Sequence, residues 1–63
     1  MAKTDLKVRL VGEDGNAYAI LGKVGKALKR AGHRDLAAEY LKEAQSGDYD
    51  NLLRVTGEYV EIT

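Results

Sequence analysis

From Ala17 onward, Ile20, Leu21, Val24, Ala27, Leu28 and Ala31 recur at i, i+1, i+4, i+7, i+8 and i+11, the spacing of one face of an α-helix. Gly32 stands just past the last of them, and the period then restarts with Leu36, Ala37, Tyr40, Leu41 and Ala44. Neither helix can bury its apolar stripe alone, and the link between them is so short that they must fold back on one another as a hairpin. Gly32 is expected to stop the first helix in the left-handed conformation that suits glycine, and Ser46-Gly47 to stop the second in the same way.

The flanks carry a different period. Leu6-Lys7-Val8-Arg9-Leu10 alternates apolar and cationic residues, the pattern of a strand with Leu6, Val8 and Leu10 turned inward. Gly12-Glu13-Asp14-Gly15-Asn16 breaks that strand and offers Asp14 or Asn16 as the cap of the first helix. Asp48 is expected to cap a third, shorter helical segment carrying Tyr49, Leu52 and Leu53. Gly57 should interrupt it, and Tyr59-Val60-Glu61-Ile62 should resume a strand. The expected fold class is therefore α+β, one small domain over residues 1–63 in the order β-α-α-α-β, with a two-stranded sheet packed on a helical layer. The pairing direction of the strands is open at this stage.

A chain of 63 residues buries only roughly 60% of the surface its unfolded form exposes, so its stability margin is thin without a staple, a metal or a partner chain. The chain has no cysteine, which removes disulfides, thiolate metal sites and thiol catalysis together and fits a cytoplasmic location. The first residues, Met1-Ala2-Lys3-Thr4-Asp5-Leu6, lack the apolar core of a signal peptide, and no apolar run nears the ~18 residues that span a bilayer. Neither secretion nor a membrane partner is expected. Ten basic residues balance ten acidic ones, so any electrostatic partner must be read by a local patch rather than a global field.

The residues that could do chemistry are few. A lone His33 between two helices and Ser46 make no nucleophile with a base and an orienting group. Glu39 and Glu43 lie one helical turn apart on a face expected to be exposed, with Lys42 near enough to pair with Glu39. Asp14-Gly15-Asn16 and Asp48-Tyr49-Asp50 begin like calcium loops but continue Tyr18-Ala19 and Leu52-Leu53 where further oxygen ligands and a glycine are required, so capping accounts for them. The expectation is no catalytic residue, no metal, no cofactor and no small-molecule substrate.

Ile20 to Arg30 holds Gly22-Lys23-Val24-Gly25 followed by lysines, and this string resembles the Gly-x-x-Gly loop with which KH domains approach a nucleic-acid backbone. The apolar period passes through both glycines without a break, which favours a continuous helix with Tyr18, Gly22, Gly25 and Lys29 along one side. Tyr18, Gly22 and Gly25 then form a candidate interaction face. Lys23, Lys26, Lys29 and Arg30, with Arg34 nearby, form a basic stripe that phosphates could contact, and Tyr18 is the ring beside it.

Gly12-Glu13-Asp14-Gly15-Asn16-Ala17-Tyr18 together with Ser46-Gly47-Asp48-Tyr49-Asp50-Asn51-Leu52-Leu53 resembles a group of short prokaryotic and phage-encoded proteins. The resemblance implies a compact cytoplasmic protein and carries no activity onto particular residues. The function read from the sequence is a small non-catalytic interaction module, self-associating as a homodimer through a strand edge or the glycine-bearing helix face, or else binding another protein. The alternative is a nucleic-acid binder using Lys23, Lys26, Lys29, Arg30 and Arg34.

Overall fold

The computed structural model describes residues 2–10 and 16–63. In chain order these form β1 (Lys7–Val8), α1 (Ala17–Arg30), α2 (Arg34–Ala44), α3 (Tyr49–Tyr59) and β2 (Glu61–Ile62), a small α+β fold of three helices and a two-stranded sheet. The turn Gly12–Gly15, with the candidate cap Asp14, lies outside the described residues. Asn16 caps α1, its side-chain oxygen accepting the Ala19 N–H at 3.1 Å.

Gly32 closes α1 as its position predicts. At φ +85° it turns the chain into the left-handed region, where the Gly32 N–H donates to the Lys29 carbonyl (3.0 Å) and the His33 N–H to the Leu28 carbonyl (2.8 Å). These are the two bonds of a Schellman cap. Two residues after Gly32 α2 begins, and the two helices pack as a hairpin.

The end of α2 corrects the expectation for Ser46-Gly47, since Gly47 does not take up the left-handed conformation. Polar side chains satisfy the last carbonyls instead: Gln45 Nε2 donates to Leu41 O (2.9 Å), and both the N–H and the hydroxyl of Ser46 donate to Glu43 O (3.1 and 2.6 Å). Gly47 matters for space. A Cβ there would stand 2.9 Å from Cβ of Asn51, whose Nδ2 also donates to Glu43 O at 3.2 Å. Asp48 caps α3 as expected, accepting the Asn51 N–H at 2.9 Å.

Two further expectations for the third segment are overturned. Gly57 does not interrupt α3, and Tyr59 is its last helical residue rather than the start of a strand, because Leu52, Val55, Thr56 and Tyr59 form a continuous buried face. Their burial outweighs the ~1 kcal/mol that one exposed glycine costs a helix. Tyr49, Leu52 and Leu53 are all carried by α3 as expected, with Leu53 and Tyr49 off the buried face and exposing 36% and 37% of their surface.

Strands β1 and β2 pair in parallel, with Lys7 opposite Glu61 and Val8 opposite Ile62. The Glu61 N–H donates to Leu6 O (2.8 Å) and the Thr63 N–H to Val8 O (3.0 Å). Parallel pairing requires a long crossover, which α1, α2 and α3 supply. Val8 and Leu10 point into the core as predicted, while Leu6 is only half-buried. The core they share holds Ile20, Val24, Leu28, Ala37, Tyr40, Tyr59 and Val60. Within the described residues no helix is long and apolar enough to cross a membrane.

Candidate functional site

The exposed side of α1 holds no acidic residue. Its apolar positions face β1, α2 and the core, so Lys23, Lys26, Lys29 and Arg30 are left on the outer face, all exposed. The fold then adds two cations that the stripe read from the sequence lacked. Val8 faces inward from β1, so period-two alternation turns Lys7 and Arg9 outward, and β1 packs directly on α1. Lys7 and Arg9 form one bank of a shallow groove of about 270 Å³, and Lys23, Lys26 and Arg30 form the other. Arg30 also borders a second hollow with Lys29 and Arg34 at the α1–α2 corner, which makes the cationic surface continuous.

This surface gathers seven of the ten basic residues of a chain whose formal charge is zero. Its centre is Arg9, Lys23, Lys26 and Arg30. Lys7 contributes less, because it also borders a hollow containing Asp5 and Glu61. Away from this surface Lys3 pairs with Glu39 and Arg54 with Glu58, each at 2.8 Å.

Gly22-Lys23-Val24-Gly25 lies in the second and third turns of an unbroken helix, which removes the KH-like loop geometry. Gly25 is buried, and a Cβ there would meet Cδ2 of Leu41 at 3.7 Å, so it serves the α1–α2 contact and drops out of the interaction face read from the sequence. Gly22 is exposed, with no atom of the described residues within 4 Å of an added Cβ. Tyr18 beside it exposes 83% of its surface.

A second polar cluster is built on α2 and α3. The Tyr59 hydroxyl donates to Glu39 Oε1 at 2.9 Å, Lys3 Nζ donates to the same oxygen at 2.8 Å, and the Lys3 ammonium stands 4.5 Å from the centre of the Tyr59 ring. The hydrogen bond to Glu39 raises the Lys3 pKa, and the same bond, followed by that from Tyr59, lowers the Glu39 pKa. Burial foremost pushes the Tyr59 hydroxyl up to about 12. Glu39 therefore pairs with Lys3 across the fold and not with Lys42 on its own helix. The Lys3 N–H also donates to Glu58 O and the Thr4 hydroxyl to Tyr59 O, both at 2.8 Å. The cluster is a clasp that fastens the segment before β1 to the end of α3, with its groups engaged by one another.

His33 stands at the N-cap position of α2 without a side-chain capping bond. No group of three or more His, Cys, Asp or Glu converges for a metal ion among the described residues. No protein-family model, no curated protein and no solved structure matches this chain. The cationic face brings like charges from separate segments of the chain onto one surface.

Proposed function

We propose that the protein is a non-catalytic binder of nucleic acid that holds the phosphate backbone on the face built by α1 and β1. The observation carrying this reading is the groove in which Lys7 and Arg9 come from β1 and the residue just after it and Lys23, Lys26 and Arg30 from α1, 14 or more positions away in the chain. A solvated helix face accounts for cations along one side of α1, but not for the segment of β1 and Arg9 delivering two more to the same groove. Lys29 and Arg30 also complement the negative C-terminal end of α1, which stabilises them where they stand without neutralising them.

Contacts from Arg9, Lys26 and Arg30 to three phosphates give a slope of log affinity against log salt of about −2 on a single strand. The experiment is fluorescence anisotropy of a labelled oligonucleotide as salt is raised, with the chain carrying Lys26→Ala and Arg30→Ala beside the unaltered one. The double substitution should weaken binding and flatten the slope by about 1 to 2. Absence of any salt-sensitive binding at low ionic strength defeats the reading.

A second reading, self-association, draws support from one apolar row. Leu53 and Gly57 lie one turn apart on α3, and Ile62 Cδ1 reaches to 4.0 Å from where a Gly57 Cβ would stand. Leu53 and Ile62 expose 36% and 41% of their surface beside β2. A second copy seated there would cover that row and the sheet edge together. A strict monomer by sedimentation from micromolar to millimolar concentration counts against it.

A further inference from the structure

Tyr18, Gly22, Lys26 and Arg30 stand at i, i+4, i+8 and i+12 on α1 and so form one ridge, each about 6 Å further along the helix axis than the last. The ridge runs from an exposed ring, across a position with no side chain, to two cations of the groove. Two features of it are unexplained by folding. Gly22 costs α1 about 1 kcal/mol relative to alanine, and no packing against the described residues requires it, since an added Cβ meets none of their atoms within 4 Å. Tyr18 is the most exposed of the large apolar side chains among the described residues.

Tyr18 also walls a hollow of about 290 Å³ at the junction of the helices, whose floor includes Leu21, Ala44 and Leu52. The hollow is the right kind of place for a flat, partly apolar ring and the wrong kind for a phosphate, because Asp48 is on its rim. We infer that the bound strand is single, with one unpaired base stacked on Tyr18 in this hollow and the sugar-phosphate chain crossing α1 over Gly22 to reach Lys26 and Arg30. This rests on the nucleic-acid reading above and narrows it. A base in a duplex is stacked on its neighbours and cannot enter, whereas every unpaired base offers a face to an aromatic ring. The absence of a side chain at Gly22 lets the backbone lie directly on the helix.

The test compares labelled single-stranded oligothymidylate and oligouridylate, each of about twelve nucleotides, with a hairpin duplex of matched charge. The chain should bind both single strands more tightly than the duplex. Tyr18→Ala should weaken single-strand binding by roughly 5- to 150-fold, the range for losing one base–aromatic stack, while leaving the salt slope unchanged. Tyr18→Trp should restore affinity, and Gly22→Leu should reproduce the loss in a chain whose circular dichroism and melting show an intact fold. Methyl resonances of Leu21, Ala44 and Leu52 should shift with the single strands and remain shifted as salt is raised to partial release. Equal affinity of the two single strands assigns the contact to base and phosphate, and a preference for uridylate adds the 2′-hydroxyl to it. Binding that depends on Lys26 and Arg30 but is indifferent to Tyr18→Ala, or that prefers the duplex, overturns this inference and leaves the wider reading standing. Failure of every oligonucleotide to bind removes both.

Discussion

The Tyr40 and Thr56 hydroxyl oxygens lie 2.8 Å apart in the buried centre of the fold, joining α2 to α3. The direction of that bond follows from its neighbour. Thr56 gives its one hydroxyl proton to the Leu52 carbonyl at 2.7 Å, so Tyr40 is the donor to Thr56. The Tyr40 ring meets the Tyr59 ring edge to face with centroids 5.4 Å apart, which leads from this buried bond to the clasp at the surface.

The two ends of the bond are predicted to be unequal. Thr56→Val leaves the Tyr40 hydroxyl buried without an acceptor and should cost about 1–3 kcal/mol. Tyr40→Phe leaves Thr56 still bonded to Leu52 and should cost about 0.5–1.5 kcal/mol, and the double variant should be less destabilised than the sum of the two. Urea unfolding of the three variants measures this, and equal costs would contradict the assigned donor.

The same glycine-to-alanine change should have three different outcomes. At Gly22 the methyl enters open space and should stabilise the chain by about 0.5–1 kcal/mol. At Gly32, where φ is +85°, it should destabilise by about 1–2 kcal/mol. At Gly47 it displaces Asn51 and with it the bond to Glu43 O, for a loss of about 1–3 kcal/mol. Thermal melts of the three variants should fall in that order, with Gly22→Ala alone above the unaltered chain.

Alkali should unfold the protein through its tyrosines. Tyr59 is raised from 10.0 to about 12, and Tyr40 is also raised, in both cases first by burial. The folded state therefore holds their protons more tightly than the unfolded one, and that contribution is full below pH 10.0 and lost as pH climbs toward about 12. The raised Lys3 acts in the same sense. Glu39, which is lowered, contributes above its ordinary value of 4.5 and loses that contribution in acid below it. Tyrosinate absorbance followed together with circular dichroism should show part of the tyrosine signal appearing only as helix is lost.

Two arginines separate the cationic face from ordinary surface charge. Arg30 lies between the groove and the corner, while Arg54 is held by Glu58 Oε2 at 2.8 Å and Asn51 Oδ1 at 2.7 Å on α3. Arg30→Ala should reduce oligonucleotide affinity several-fold at low salt, and Arg54→Ala should leave it unchanged. Similar losses from both would mean that the binding is diffuse and not sited.

By itself the sequence determined the local elements. Apolar spacing set α1 and α2, Asp48 set the start of α3 and Asp14 or Asn16 that of α1, Gly32 set one stop, and the alternation from Leu6 to Leu10 set the inward face of Val8 and Leu10. Each depends on residues within about a turn of one another, so a linear reading reaches it. Tertiary structure decided what depends on distance in the chain. Burial of Thr56 and Tyr59 carried α3 through Gly57, and the crossover of three helices made the sheet parallel. Glu39 found Lys3 rather than Lys42, and β1 came to rest on α1 so that Lys7 and Arg9 joined Lys23, Lys26 and Arg30. Such outcomes turn on which buried faces close against each other, and the energy of that closure belongs to no single segment.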